Sequence, residues 1–267
     1  MQLSQTTAPV IEPLHLDEAK SHLRVSGTDE DDLIGTLIAA ARGMVEDFTG
    51  RQLALATWTL KLDAWPGTSY VRLPRAPLVA VDSVGYVDTA GADQTFASTD
   101  YDVQTDRLPP RIVLGYAKSW PTLRAQAEAV SIAYKTGSVA KITAVADTDL
   151  LTIAGRSVAD ADIIRLSVSG GEDRALPAPL AENTDYHVRD LDGSTFKLAA
   201  SAGGDALDLT DTGTGQACVG VLPAPLRAAL LLLLGDLYEH REAQLETKVS
   251  DNPTVARLLW PWRIVEL

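Results

Sequence analysis

Apolar residues along the first fifty positions recur every three or four: Leu16, Ala19 and Leu23, then Leu33, Leu37, Ala40, Ala41, Met44 and Phe48. That period predicts two helices joined by a short loop between Pro13 and about Arg51. In SGTDEDDLI, Thr28 is placed to cap the second helix, and the carboxylates of Asp29, Glu30, Asp31 and Asp32 face the positive end of its dipole. Gly50 suits its stop. From Ala54 to about Tyr134 the period drops to two. ATWTLKLDAW sets Trp58, Leu60 and Leu62 against Thr57, Thr59 and Lys61, the signature of a strand with one buried face. YVRLPRAPLVAVDSVGYVD reads as two strands around a proline turn leading into the loop DTAGADQTF; YDVQTDRLPPRIVLG repeats the scheme and AEAVSIAYKTG adds a further strand.

Between Val139 and Gly220 the grammar changes again. DLLTIAG, DIIRLSVSGG, TDYHVRDLDGSTFKLAAS and DALDLTDTGTGQACVGVL are short strands punctuated by Gly, Asp and Asn, as in a small sandwich or barrel. Asp192-Gly193 marks a hairpin turn rather than a calcium loop, because the further acidic ligands and the closing glutamate are missing. Helix returns in LPAPLRAALLLLLGDLYEHRE, with Pro223 and Pro225 at its start, where proline is tolerated. A polar link, AQLETKVSDNP, then leads to TVARLLWPWRIVEL, in which Pro261 prevents a continuous helix. The class is α+β: a helical core with its own β portion in residues 1–138 and 221–267, and an inserted all-β module in 139–220.

The five consecutive leucines raise the question of a membrane. A span needs about 20 predominantly apolar residues, whereas this run is closed by Arg227 and Asp236. The N-terminus lacks the basic and apolar regions of a signal peptide, so synthesis in the cytoplasm is expected. On the leucine helix, Leu226, Leu230, Leu233, Leu234 and Leu237 trace one stripe, and Ala229, Leu231 and Leu232 occupy much of the remaining circumference. Such a helix is covered on more than one side. The second cover is either the inserted module or a neighbouring subunit. Leu258, Leu259, Trp260, Trp262 and Arg263 in the tail pose the same question, since Trp and Arg are frequent interface anchors.

Charge and chemistry narrow the function. The chain has 23 Lys/Arg against 36 Asp/Glu, net −13, which disfavours gripping a polyanion. The insertion alone carries 13 acidic against 6 basic residues. No phosphate loop, dinucleotide fingerprint, nucleophile elbow or paired-histidine zinc motif is present, and His15, His22, His187 and His240 are scattered. Cys218 stands alone and reads as a packed strand residue. No catalytic, cofactor or metal site is expected. A hydrolase using carboxylates of the insertion lacks any spacing that nominates a pair. A binding protein built around the β module is the other rival, and the missing signal peptide argues against a surface version of it.

The order of motifs resembles the head-tail connector, or adaptor, proteins of long-tailed phages and gene transfer agents. The resemblance rests on LDEAKSHLRVSGTDEDDLIGTLIAAARGMVEDFTGRQL, TWTLKLDAWP, VRLPRAPLVAVDSVGYVD, LPAPLRAALLLLLGDLYEHRE and NPTVARLLWPWRI, taken together and in this order. It implies a structural protein of the virion neck that oligomerises, usually twelvefold, into a ring below the portal. The ring extends the DNA channel, lets DNA pass without specific binding, and receives a tail-side connector or stopper protein on its far side. Carried to this sequence, the resemblance implies subunit packing by Leu230, Leu232, Leu233, Leu234, Leu237 and Tyr238. It implies portal docking by Leu258, Leu259, Trp260, Trp262 and Arg263. The 139–220 module is an addition to this pattern, with an outward position expected from its charge.

Overall fold

The period-two segments become sheets and the period-3.6 segments become helices in the computed structural model, which describes residues 1–240 and 253–264. Its contacts divide the chain into two compact units. One comprises Met1–Pro9, Gly50–Gly137 and Ile264–Leu267, the other Val10–Thr49 and Ser138–Arg263.

The first unit is all β. Strands β1 (Gln2–Thr7), β2 (Ala56–Leu62), β3 (Tyr70–Arg72), β4 (Leu78–Val87), β5 (Asp93–Thr95), β6 (Tyr101–Gln104), β7 (Arg111–Leu114) and β8 (Val130–Thr136) form a five-stranded sheet, ordered β1-β2-β8-β4-β5, and a three-stranded sheet, β3-β7-β6. All pairings are antiparallel. β8 is the centre because every second side chain, Val130, Ile132, Tyr134 and Thr136, is buried. These meet Leu60, Val71, Leu73, Val84 and Ile112 in the core. In the run Arg51-Gln52-Leu53 the glutamine has a structural role. Gln52 is fully buried; its backbone N–H donates to Ala76 O (2.7 Å), its side-chain amide donates to Ala54 O (3.0 Å), and its carbonyl accepts from the Trp58 indole (3.1 Å). One amide thus fixes the entry to β2 against the turn before β4.

The second unit combines helices with a closed barrel. Helices α1 (Leu16–Leu23), α2 (Asp31–Thr49), α3 (Ala224–Glu239) and α4 (Pro253–Leu259), the last followed by a 3₁₀ turn at Trp260–Trp262, pack as a small bundle. His15 caps α1: its Nδ1 accepts the Asp17 N–H at 3.2 Å. α2 ends at Gly50, whose φ of +68° is a left-handed conformation that suits glycine. The barrel strands are β9 (Ala140–Val145), β10 (Leu150–Ile153), β11 (Ile163–Ser169), β12 (Asp185–Asp192), β13 (Thr195–Ala199) and β14 (Gln216–Val219), closed in the order β10-β13-β12-β11-β14-β9. Leu151, Leu166, Val188, Phe196 and Leu198 are buried within this unit. The turn at Gly193 joins β12 to β13 across the Asp192–Thr195 pair, as the Asp-Gly signal predicts.

The barrel spans the stretch that reads as an insertion, yet its contacts group it with the helices. Polar bonds join the two. The Ser169 hydroxyl accepts the His15 N–H (2.9 Å) and bonds Glu18 (2.9 Å); Glu18 also pairs with Arg227 of α3 (2.6 Å); and the Gln216 amide donates to Glu12 O (2.9 Å). Arg42 of α2 then bridges Glu12 (2.6 Å) and the buried Glu46 (2.9 Å). None of these long-range pairings has a sequence signature.

Candidate interaction surfaces

The leucine helix α3 is enclosed more by its own unit than its sequence suggests. Leu234 is fully buried in a cluster with Leu14, Ala19, Ile34 and Ile38 of the α1–α2 region, with Leu231 and Tyr238 packed against it. Leu226, Ala229 and Leu230 are buried too. α4 also lies against α3, so a second cover exists that is neither the barrel nor another subunit. Of the six residues implied at a subunit seam, Leu230 and Leu234 therefore lie inside the unit. Leu232, Leu233, Leu237 and Tyr238 keep part of their surface accessible, and the Tyr238 hydroxyl bonds Glu30. At 100° per residue, Leu232 falls on the row Ala228, Leu232, Gly235, Glu239, no member of which is buried.

The tail is folded onto the bundle by one face. Val255 and Leu259 are buried, Leu258 and Trp262 are half-buried, and Trp260 and Arg263 are exposed. Leu259, implied at a docking surface, instead packs within the unit. Residues 241–252, including most of the polar link, lie outside the described residues, as do 265–267. Pro261 sits in the 3₁₀ turn and ends the helix as expected. The turn places Trp260 6.5 Å from Phe48 of α2, ring centroid to centroid, at 59°, and the Arg263 guanidinium lies 5.5 Å from the Trp260 ring centre and 5.8 Å from that of Phe48.

Phe48 belongs to a surface that the period of α2 conceals. Ile34, Ile38, Ala41 and Val45 form its buried face, whereas Leu33, Ala40, Met44 and Phe48, one position earlier in each turn, are exposed. Both rows repeat at helical spacing; the available signal is that two apolar rows share one helix, which a single packed face does not need.

Charge is unevenly divided. The first unit holds nine Lys/Arg and nine Asp/Glu, the second 14 and 27, so the whole net charge of −13 falls in the sequence of the second unit. Cys218 lies buried in β14, where burial pushes its thiol up to about 11. Among the described residues no group of three or more His, Cys, Asp or Glu is placed to hold a metal ion, and no helix is long and apolar enough to cross a membrane.

An α2 with an acidic first turn, the Gln52 bracket, and strands β3 and β4 joined through a proline turn thus occur in one stretch. Residues 13–85 match the family of phage gp6-like head-tail connector proteins. Over these 73 of its 267 residues the chain is similar to that family. The stretch contains α1, α2, β2, β3 and most of β4.

Beyond that stretch, solved structures share the fold. "Neck of empty GTA particle computed with C6 symmetry" aligns with a TM-score of 0.60 and 20% identity, covering 100% of this chain and 97% of that one. "Virion of native gene transfer agent (GTA) particle" and "Neck of native GTA particle computed with C12 symmetry" each align at a TM-score of 0.58, with the same identity and coverage. Since coverage is nearly complete on both sides, the shared fold includes the barrel. No curated protein matches the chain.

Proposed function

We propose that this chain is a structural head-tail adaptor in the neck of a phage or phage-like particle. Its copies form a ring below the portal, extend the DNA channel and join head to tail, without catalysis. The observation that carries this reading is the stretch similar to connector proteins set in a fold that matches neck chains of gene transfer agent particles along its whole length. Those necks were computed with sixfold and twelvefold symmetry, which favours a ring of twelve copies.

Within such a ring the outward half of α3, represented by Leu232, Leu233 and Leu237, meets the next subunit. Trp260, Trp262 and Arg263 meet the portal, and a tail-side connector or stopper protein meets the opposite face. Charge supports a conduit that does not hold its cargo: phosphate affinity comes chiefly from clustered Lys/Arg, and this chain has an acidic excess. The barrel, with 13 acidic against 6 basic residues, stands outside the channel wall, since a dozen such modules packed around the axis repel one another. The reading is tested by mixing the purified chain with the portal of its own particle and measuring the mass of the complex. A stoichiometric ring on the portal supports it. A chain that neither self-associates nor binds the portal overturns it.

A further inference from the structure

An exposed apolar surface runs from α2 onto the tail. Met44 is 49% exposed, Phe48 36% and Trp260 63%. With aromatic side chains presenting roughly 150–250 Å² each, these three leave roughly 300 Å² of apolar surface accessible, in the range of the largest patch on a typical monomer, which is often functional. Met44 stands one turn before Phe48, and Phe48 touches Trp260. α2 and the tail therefore contribute to one patch, although they are more than 200 residues apart in sequence.

The patch also carries a cation. Arg263 is exposed, and its guanidinium rests over both aromatic rings, at 5.8 and 5.5 Å. Stacking of this kind holds the planar fork in place while its N–H edge stays open to a carboxylate. The surrounding unit has 27 Asp/Glu against 14 Lys/Arg, so an acidic partner is repelled by most of its surface and attracted where an arginine is displayed.

We propose that Met44, Phe48, Trp260 and Arg263 form a composite docking site for a protein segment in which an apolar side chain is flanked by a carboxylate. The apolar group covers Met44, Phe48 and Trp260, and the carboxylate pairs with Arg263. This rests on the adaptor reading for one point only, that the protein bearing the segment is the portal. The tail thus docks as one wall of a rigid site whose other wall is α2.

Because all four residues are exposed or partly so, their replacement leaves the core untouched. The test measures binding of the purified portal to the wild-type chain and to Met44→Glu, Phe48→Ala and Arg263→Glu, each first checked for an unchanged thermal transition. Truncation of an interface anchor weakens binding by roughly 10- to 100-fold, and that loss is expected for each variant. Arg263→Lys retains part of the affinity, and salt weakens the wild type more than Arg263→Glu. Wild-type binding that Met44→Glu and Phe48→Ala leave unchanged overturns the composite site while the adaptor reading stands. Variants that bind portal normally but lose self-association overturn it in favour of a second copy of the chain as occupant. A wild-type chain that fails to bind portal overturns the adaptor reading and, with it, this choice of partner.

Discussion

Two leucines on one helix, two residues apart, are predicted to respond in opposite ways. Leu234 is 0% exposed and enclosed by Leu14, Ala19, Ile34 and Ile38. Removing such a side chain costs its transfer energy plus that of the cavity left behind, about 2–5 kcal/mol for Leu→Ala. Taking about 3 kcal/mol, and a shift of about 2–4 °C per kcal/mol for a domain of this size, the transition of Leu234→Ala falls by about 6–12 °C. Leu232 is only partly covered and shares its row with Ala228, Gly235 and Glu239, all unburied. In Leu232→Lys the stem lies along the surface while the ammonium reaches water, so stability changes by about 0.5 kcal/mol or less. Ring formation on the portal is expected to fail for Leu232→Lys, because a charge then sits in an apolar seam without a partner. Leu234→Ala assembles normally well below its transition. Calorimetry gives the first quantity and sedimentation with the portal the second. If Leu232→Lys melts as low as Leu234→Ala, the row faces inward and the assignment of the α3 surface is wrong; if it assembles like wild type, α3 is not at the seam.

Further outcomes follow from individual contacts. Arg42→Ala leaves the buried Glu46 carboxylate without the guanidinium 2.9 Å away, and breaking a buried pair from one side costs about 3–5 kcal/mol, readable as a lowered urea midpoint. Glu12→Gln, whose side chain is 31% exposed, costs much less. Gly220→Ala places a Cβ 2.1 Å from Ser138 O at a φ of +95°, so the barrel closure next to β14 must shift; loss of soluble expression or a strongly lowered transition is expected, and a wild-type transition contradicts the geometry. Cys218 is buried with its thiol raised to about 11. Relative to an unfolded thiol near about 8.5, the folded state holds the proton more tightly. Its contribution is therefore complete below about pH 8.5 and is lost as pH rises toward 11, so iodoacetamide near neutral pH labels the unfolded chain and not the native one.

The elements that were legible in the sequence are those with a strong period and a clear stop. α2 with its acidic start and Gly50, β2 and β8 with their alternation, β4 after its proline turn, and the Asp192-Gly193 hairpin all lie where their patterns place them. β1 gave no such signal. QLSQTT has no alternating apolar face and is held as an edge strand by backbone pairing with β2, from Gln2 opposite Lys61 to Thr7 opposite Thr57. The leucine helix announced that it has covers on two sides, but not that α4 supplies one, since a short helix behind a polar link carries no address. At the end of α4 the same limit applies to Leu259 and Trp260: adjacent apolar residues, one 3% and the other 63% exposed. Periodicity is likewise blind to which of two neighbouring rows on α2 faces the core, so Met44 and Phe48 read as packing residues although they are exposed. A consequence concerns truncation. Deleting Thr254 to Leu267 removes the buried Val255 and Leu259 and so destabilises the bundle, whereas substitutions at the exposed Trp260 and Arg263 test the proposed attachment without removing a buried side chain.

Imaging of the portal vertex of the particle decides where this chain sits. A ring of its copies coaxial with the portal is expected, with Trp260 and Arg263 at the turn after α4 against portal density and the barrels outside the channel. A resolved neck in which another protein occupies that position, or in which this chain is absent, contradicts the adaptor reading.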